Sequence, residues 1–352
     1  MIRCVLADDS RVFRAILRAI LSRAPDVEVV GEAVDGADAV RQVVALRPDV
    51  VTMDVRMPGK DGLYAIGEIM EHAPTPIVVV SGEAGPDRQE LSFRALQLGA
   101  VEVLRKPRSE AGAFEQDVEA IRTAVRSVAG VRVAPRPARG RTAAAAAQPA
   151  HTWGTSLYAL TPPRVVGIVA STGGPAALGR ILGALPRDYP LPIAVVQHIA
   201  RGFEGGLVHW LSGETDLAVT LARDGEALEA GTVYVGPDGF HLALRGGHVR
   251  LEDGDPIRGF RPSGTRLLES LAEEYGAAAA GVILSGMGDD GADGLAALHL
   301  AGAFTAAQGA SSSVIFGMPK AAIDRGAAGV TLELDEIAPA LARLARGAAR
   351  RA

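Results

Sequence analysis

The 352-residue sequence has almost no cysteine, few aromatic residues and no long apolar run. Its one cysteine, Cys4, falls inside a predicted strand, which excludes an internal disulfide and a cysteine-based zinc cluster and fits a reducing compartment. No apolar run approaches the ~18 residues that a membrane span requires, and no basic segment followed by an apolar stretch marks a signal peptide. We therefore expect a cytoplasmic protein that does not insert into a membrane.

Aliphatic residues supply the material for large cores. Hydrophobic residues make up 48% of the sequence and aromatic residues only 4%, so the cores are expected to consist of Ala, Val, Leu and Ile. A chain of this length more often forms two domains than one. The net charge of −5 argues against a nucleic-acid-binding protein.

Charge is distributed unevenly along the chain. Residues 126–162 contain five arginines and no acidic residue, whereas residues 1–125 and 163–352 each carry a net charge of −5. The same segment is rich in proline, contains a run of alanines and lacks apolar periodicity, which is typical of a linker. The sequence therefore predicts domains at residues 1–125 and 163–346, an Arg/Pro/Ala-rich linker at residues 126–162, and a short tail at residues 347–352.

The first predicted domain alternates strands with helices. The predicted strands are Ile2–Ala7, Val27–Val30, Val50–Met53, Ile77–Val80 and Val101–Leu104, and apolar residues at helical spacing lie between them. Regular alternation of this kind indicates an α/β fold with a doubly wound parallel sheet, in which ligands bind at the carboxyl ends of the strands.

Polar residues stand at the ends of these predicted strands. They are Asp8, Asp9, Asp54, Ser81 and Lys106. Three carboxylates on one rim repel each other unless a hard cation joins them, and oxygen ligands suit Mg²⁺. An ammonium and a hydroxyl there suit an added phosphoryl group. Taken singly, Asp9 fits a helix cap and Lys106 a surface residue, but the five together predict a site.

These residues belong to recognisable motifs. Ala7-Asp-Asp-Ser10, Met53-Asp-Val-Arg-Met-Pro58, Asp61-Gly62, Ser81-Gly82 and Arg105-Lys-Pro107 resemble the receiver domain of two-component response regulators. The resemblance implies phosphorylation of Asp54 by a histidine kinase, Mg²⁺ binding by Asp8, Asp9 and Asp54, and an active-state switch through Ser81 and Lys106. Val103 stands where the family often has Tyr or Phe, so a rotating aromatic ring is not expected to act in the switch.

The second domain opens on a serine whose role has three interpretations. The predicted strands here are Val165–Val169, Ile193–Val196, Thr232–Val235 and Gly281–Leu284. The first of them enters a helix through Ser171-Thr-Gly-Gly-Pro175, so Ser171 lies on a sharp turn. The serine fits a helix cap, part of a phosphate cradle or a nucleophile. No Gly-Lys-Ser/Thr sequence is present, which disfavours the phosphate cradle.

A nucleophile needs a base and a group that orients the base. The predicted strand Val195–His198 ends in a histidine, and the segment Val282–Gly291 runs into a glycine-rich acidic turn. Parallel strands bring such turns to one edge, and a triad is defined by its geometry rather than by its order in the chain. On its own, His198 fits a structural role equally well, but the combination favours a triad. Of the other histidines, His241 and His248 fall in a predicted hairpin.

Several separated motifs carry a second resemblance. Ala170-Ser-Thr-Gly-Gly174, Gln197-His198, Arg261-Pro-Ser263, Leu284-Ser-Gly-Met-Gly-Asp-Asp-Gly291 and Gly317-Met-Pro319 resemble the catalytic domain of chemotaxis protein-glutamate methylesterases, the CheB family. The order of receiver, linker and esterase resembles the whole of such a protein. The resemblance implies Ser171 as the nucleophile, His198 as the general base, Asp290 as the group that orients it, the Met287 N–H as an oxyanion donor, and Thr172 beside the nucleophile.

The resemblance also implies a function. It is that of a phosphorylation-activated serine esterase that demethylates glutamate methyl esters on methyl-accepting chemoreceptors, with a receiver that inhibits until Asp54 is phosphorylated. The same geometry allows attack on an amide, which leaves glutamine deamidation open. The esterase reaction is expected to need no cofactor, and the protein is expected to be a monomer.

Two other functions compete with this one. A DNA-binding response regulator requires a basic recognition helix, but residues 163–352 are acidic and show no helix-turn-helix pattern. A receiver fused to a catalytically dead scaffold has the same sequence features as an active enzyme.

Overall fold

The structure is a computed structural model that describes residues 1–82, 86–108, 113–131, 133 and 161–349. The chain divides into two compact units, Met1–Thr152 and Trp153–Ala352. One contains a five-stranded parallel sheet and the other a seven-stranded parallel sheet, so the predicted fold class of two doubly wound α/β domains is confirmed. Most of the predicted linker at residues 126–162 lies outside the described residues.

In the first unit, strands and helices alternate along the chain. The strands are β1 (Ile2–Ala7), β2 (Val27–Ala33), β3 (Val50–Met53), β4 (Ile77–Ser81) and β5 (Glu102–Arg105), and the helices are α1 (Arg11–Ser22), α2 (Gly36–Leu46), α3 (Gly62–His72), α4 (Pro86–Gln97) and α5 (Ala113–Val128). The strand order is β2-β1-β3-β4-β5. Because β1 and β3 pair in parallel, the residues that follow them meet at one edge of the sheet.

The second unit has a larger sheet and a separate hairpin. Its strands are β6 (Val165–Ala170), β7 (Ile193–Gln197), β8 (Ala218–Leu221), β9 (Thr232–Val235), β10 (His241–Arg245), β11 (His248–Glu252), β12 (Ala279–Ile283), β13 (Phe304–Gln308) and β14 (Val330–Leu332). Its helices are α6 (Gly174–Gly183), α7 (Glu204–Glu214), α8 (Gly264–Tyr275), α9 (Ala292–Leu300), α10 (Met318–Asp324) and α11 (Leu334–Ala349). The sheet order is β14-β13-β12-β6-β7-β9-β8, and β10 pairs with β11 as the predicted antiparallel hairpin.

Three strands of the larger sheet were not predicted from the sequence. They are β8, β13 and β14. Of these, β8 is a partly exposed edge strand, β13 is rich in alanine, and β14 has only three residues, so none presents the run of buried β-branched side chains that marks a strand.

Two predicted domain boundaries fall inside helices. The linker was predicted to begin at residue 126, but α5 continues to Val128, because Val125 and Val128 are both fully buried on one face of that helix. The tail was predicted to begin at residue 347, but α11 continues to Ala349, and alanine favours a helix.

Helix α8 packs closely against strand β6 at two glycine positions. A Cβ atom added to Gly167 of β6 would lie 2.5 Å from Leu271 Cδ1, and one added to Gly264 would lie 2.1 Å from Val169 Cγ1. Glycine at these two positions therefore lets α8 pack closely against β6. Within the residues that the structure describes, no helix has both the length and the apolar character needed to span a membrane.

Candidate functional site

An acidic cluster lies at the carboxyl edge of the first sheet. Asp8 and Asp9 directly follow β1, and Asp54 directly follows β3. Oxygen atoms of the three carboxylates all lie within 4.8 Å of one another. Asp8 and Asp54 are buried and Asp9 is exposed, so the cluster opens to solvent on one side. An all-oxygen set of this kind fits the predicted Mg²⁺ site, because a divalent cation offsets the repulsion among the carboxylates.

Lys106 completes this cluster from the end of β5. Its Nζ atom lies 2.5 Å from Asp8 Oδ2 and 2.5 Å from Asp54 Oδ2. Burial would lower the pKa of Lys106, but the hydrogen bonds to Asp54 and Asp8 outweigh that effect and raise the pKa above its usual value. The ammonium can therefore balance negative charge added to Asp54. Ser81 is the buried last residue of β4, and its carbonyl accepts a 2.8 Å hydrogen bond from the Lys106 N–H.

Arg14 is a member of this cluster that sequence reasoning missed. Its Nη1 donates a 2.6 Å hydrogen bond to the Asp8 carbonyl, and its Nε donates one of 3.1 Å to Glu32. Glu32 also pairs with Arg18, at 2.7 Å. Arg14 thus holds the backbone of Asp8 from behind. Its position beside Phe13 in an apolar helical pattern gives no sign of this contact.

The second site lies at the carboxyl edge of the larger sheet. Ser171 follows β6, His198 follows the adjacent β7, and Asp290 lies in the loop that follows β12 on the other side of β6. The Ser171 N–H donates to the Ser285 carbonyl at 3.0 Å, and the His198 N–H donates to the Ala170 carbonyl at 2.9 Å. The three predicted turns therefore share one edge.

The imidazole of His198 pairs with the carboxylate of Asp290. The distance from His198 Nε2 to Asp290 Oδ2 is 2.9 Å. The histidine side chain is 7% exposed and that of Asp290 is fully buried. His198 Nδ1 is also buried, and it has no hydrogen-bond partner among the residues that the structure describes. Because Nε2 donates to the carboxylate, Nδ1 is the nitrogen left to accept a proton.

The start of α8 surrounds Asp290 with donors. The Ser263 hydroxyl lies 2.7 Å from Oδ1, the Gly264 N–H 2.6 Å from Oδ2 and the Thr265 N–H 3.1 Å from Oδ1. Burial would raise the pKa of Asp290, but the hydrogen bond from His198 and those from Ser263 and Gly264 outweigh it and hold the pKa well below its usual range. Unpaired N–H groups at a helix start favour an anion in the same way.

The neighbouring Asp289 has different partners. It forms a 2.6 Å ion pair with Arg325 and a second one with Arg258. Burial would raise the pKa of Asp289, but these two guanidinium groups lower it overall. Only Asp290, of the two adjacent acids, pairs with His198.

The turn that carries Ser171 is held by Gln197, to which the sequence assigned no role of its own. The Nε2 atom of Gln197 donates to the Ser171 carbonyl at 2.9 Å and to the His198 carbonyl at 2.8 Å. A Cβ atom added to Gly174 would lie 2.1 Å from Gln197 Oε1, so only glycine leaves room for this amide. The N-cap of α6 is Gly173, with φ of 77° and no capping side chain, so Ser171 is not the helix cap.

The loop after β12 lies against the serine. A Cβ atom added to Gly286 would lie 2.7 Å from Ser171 Cβ, so the backbone that leads into Met287 runs directly beside the serine. The side chain of Met287 is 46% exposed. Thr172 is buried, and its carbonyl accepts a 2.8 Å hydrogen bond from the Ser285 hydroxyl.

Two parallel-sheet units with these residues at their carboxyl edges define a class of protein. The first unit has the acidic cluster and lysine of a receiver domain. The second has a serine, a histidine and an aspartate at turns of one sheet edge, which are the residue types of a catalytic triad. The class is thus a receiver domain followed by a hydrolase-type domain.

Comparison with known proteins identifies the family. The family model of the CheB methylesterase matches residues 166–341, and that of the response regulator receiver domain matches residues 4–115. The protein-glutamate methylesterase/protein-glutamine glutaminase 2 of Anaeromyxobacter dehalogenans is 46% identical over 98% of this chain and 97% of its own length. One from Myxococcus xanthus, numbered 4, is 43% identical over 98% of both chains.

A solved structure agrees with these matches. The crystal structure of the Thermotoga maritima CheB methylesterase catalytic domain is 37% identical and superposes with a TM-score of 0.50, covering 52% of this chain and 100% of that one. The chain therefore belongs to the CheB methylesterase family.

Proposed function

We propose that this protein is a phosphorylation-activated protein-glutamate methylesterase that acts on methyl-accepting chemoreceptors. One observation carries the proposal: a buried His198–Asp290 pair lies at the same sheet edge as Ser171, at 2.9 Å between Nε2 and Oδ2. Relatives that match nearly the whole chain bear the name protein-glutamate methylesterase. Both lines of support favour hydrolysis of a carboxylic ester over DNA binding or an inert scaffold.

The proposed reaction begins with attack by Ser171 Oγ on the ester carbonyl of the methylated glutamate. His198 takes the serine proton at Nδ1, while Asp290 keeps the proton on Nε2 and stabilises the imidazolium. The imidazolium then gives its proton to the methoxide leaving group, and methanol departs from a glutamyl-serine ester. Water, deprotonated by the same imidazole, hydrolyses that ester and restores Ser171.

The negative charge that develops on the carbonyl oxygen needs hydrogen-bond donors. We assign the Met287 N–H to this role, because the Gly286 backbone lies against Ser171, with Thr172 beside the nucleophile. Removal of one such donor typically lowers kcat by about 10²–10³-fold. Since the relatives are also named protein-glutamine glutaminases, we include hydrolysis of receptor glutamine side chains as a second reaction of the same residues.

The proposed regulation resides in the first unit. Asp54 accepts a phosphoryl group from a histidine kinase. Asp8, Asp9 and Asp54 are the residues that would hold a Mg²⁺ ion, which would neutralise negative charge at this site. Phosphorylation adds about −1.5 to −2 charges, and Lys106 and Ser81 respond to the phosphoryl oxygens. Before phosphorylation, the receiver inhibits the esterase.

The proposed setting follows from these partners. The substrate is a cytoplasmic portion of a chemoreceptor and the phosphodonor is a histidine kinase, so we assign the protein to the cytoplasm. We propose that it acts as a monomer, binds no nucleic acid and needs no cofactor for ester hydrolysis.

Methanol release from methylated receptor tests the proposal. The full chain is expected to release methanol slowly, and faster after addition of Mg²⁺ and a small-molecule phosphodonor. The Asp54→Asn variant should show the slow rate with or without the donor. A serine-reactive fluorophosphonate should label the wild-type protein but not Ser171→Ala. Absence of methanol release in every condition, or equal labelling of Ser171→Ala, would refute the esterase assignment.

A further inference from the structure

A two-residue turn lies beside the His198–Asp290 pair. The backbone groups of Ile257 and Phe260 exchange two hydrogen bonds, of 3.1 and 2.9 Å. Between them, Arg258 has φ of 53° and Gly259 has φ of 87°. Two consecutive residues with positive φ are typical of a tight type I′ turn. Glycine adopts this conformation readily, whereas for arginine it is uncommon and needs support from its surroundings.

Ion pairs supply that support and attach the turn to the loop that carries Asp290. The Arg258 guanidinium contacts Asp289 and lies 2.5 Å from Asp293. Arg325 pairs with the same two acids, at 2.6 Å and 3.0 Å. Since Asp289 directly precedes Asp290, the four charged side chains link the turn to the residue that pairs with His198. The turn and the Asp290 loop are thus held together by electrostatic contacts.

The last residue of the turn stacks on His198. The ring centroids of Phe260 and His198 are 3.8 Å apart and the ring planes differ by 5°. The hydrogen bond to Asp290 sets where Nε2 points, and the stacked ring sets the plane of the imidazole. Together they leave the imidazole one orientation, with Nδ1 free.

We propose that Phe260 is a positioning residue for His198, one that fixes the imidazole plane and attracts the imidazolium formed during the reaction. The proposal rests on the proposed function, in which His198 is the base. The face of an aromatic ring attracts a cation, and the attraction is stronger where water is excluded. Phe260 therefore acts on the charged form of His198, which forms as Ser171 attacks and also when the free protein is protonated at low pH.

Other charged and titratable groups around His198 act on it differently. Asp290 contacts it directly and favours the imidazolium whether or not Phe260 is present. Asp289 and Asp293 are each paired with Arg258 and Arg325. His241 has partners of its own: its Nδ1 accepts a hydrogen bond from the Ser263 N–H, and its Nε2 lies 3.0 Å from the Asp255 carbonyl. None of these groups is removed by a change at Phe260.

Substitution of Phe260 in the full chain tests the proposal. Phe260→Leu retains an apolar side chain but lacks an aromatic face, and Phe260→Tyr retains the face. In Phe260→Leu, we expect kcat on methylated receptor to fall by about three- to tenfold with KM unchanged, and the acid limb of the pH–rate profile to move down by about half a unit to one unit. The limb moves down because the imidazolium loses its stacked ring and gives up its proton at lower pH. Phe260→Tyr should behave as wild type, as should Phe240→Leu, a change at an exposed phenylalanine outside the turn.

The outcomes separate this proposal from the proposed function. A wild-type kcat and acid limb in Phe260→Leu, a lower kcat with an unmoved limb, or equal losses in Phe260→Tyr would each overturn the role of Phe260. If Phe260→Leu does not fold, Phe260→Met takes its place. Ring titration of His198 by ¹H–¹⁵N NMR, compared between wild type and Phe260→Leu, reports on the stacking without any turnover. A downward shift there in a protein that releases no methanol would support the stacking and refute the esterase.

Discussion

The Ser263 hydroxyl donates a 2.7 Å hydrogen bond to Asp290 Oδ1. The hydroxyl oxygen of Ser263 also accepts a 3.2 Å hydrogen bond from the Thr265 N–H. Ser263 is therefore both the N-cap of α8 and a hydrogen-bond donor to Asp290, the carboxylate that pairs with His198. This double use ties the position of Asp290 to the start of α8, which is packed against the core of the sheet.

The Ser263→Ala variant tests that link. The loss of a cap and of a hydrogen bond to a buried carboxylate is expected to lower the free energy of unfolding by about 1–3 kcal/mol, measured by urea denaturation. Methanol release should fall as well, because Asp290 loses one of its fixed contacts. Ser263→Thr keeps the hydroxyl and should retain most of both properties. Equal stability of wild type and Ser263→Ala would contradict this account.

Asp290 is expected to make the stability of the second unit depend on pH. Its pKa in the folded protein lies below its usual range, so its contribution to stability is complete above the unfolded pKa of about 3.9 and is lost as the pH falls toward the folded pKa. Below about pH 4, the difference in free energy of unfolding between wild type and Asp290→Asn should therefore narrow as the pH falls. Urea denaturation of both proteins at pH 5 and pH 3 measures this narrowing, and a difference that widens from pH 5 to pH 3 would disprove the prediction.

Gln197 is expected to affect turnover more than substrate binding. The Gln197→Met variant leaves the Ser171 and His198 carbonyls without the donor that now joins them, and a buried unsatisfied group costs about 1–3 kcal/mol. We expect kcat to fall by roughly tenfold or more, with little change in KM, because the two turns lose their fixed spacing. The kcat of Gln197→Glu should also fall, because a carboxylate of nearly the same shape has no N–H group to donate to the two carbonyls. Steady-state kinetics on methylated receptor measures both variants, and an unchanged kcat in Gln197→Met would show that the backbone alone sets the spacing.

Removal of divalent cations is expected to block activation by a phosphodonor without affecting the slow esterase activity of the unactivated protein. Chelation should abolish activation by a phosphodonor, because Asp8, Asp9 and Asp54 then repel one another and the incoming phosphate. The slow rate without donor should persist. Methanol release, measured with and without chelator and with and without phosphodonor, gives both the slow rate and the donor-dependent increase. Donor-dependent activation that survives chelation would exclude a metal at the acidic cluster.

The sequence predicts a large part of this fold from the ends of its apolar runs. β6, β7 and β12 are recognisable because their side chains are almost all apolar and because Ser171, His198 and a glycine-rich acidic turn follow them. Parallel pairing of those strands then requires the turns to meet at one edge. The sequence does not reveal β13 and β14, whose short alanine-containing or three-residue segments owe their strand conformation to pairing with neighbours.

Contacts between segments that are distant in the sequence could not be predicted from the apolar runs. Ser263, Gln197 and Phe260 each contact the His198–Asp290 pair or its turns. Ser263 and Gln197 belong to the motifs that carry the resemblance, but no local pattern shows which groups they contact, and Phe260 belongs to none of those motifs. The extension of α5 to Val128 was beyond such reasoning for the same reason, since it depends on the burial of Val128 in the folded unit.

By itself, the order of residues along the chain determined the alternation of strands and helices, and with it which polar residues lie at each sheet edge. The resemblance had already named Asp290 as the partner of His198. The tertiary structure alone decided that Nδ1 is the free nitrogen of the imidazole and that Phe260 stacks on the ring. Periodicity depends on neighbours a few residues apart, which a sequence displays directly. The orientation of a buried side chain depends instead on hydrogen bonds and packing between segments that only the folded chain brings together.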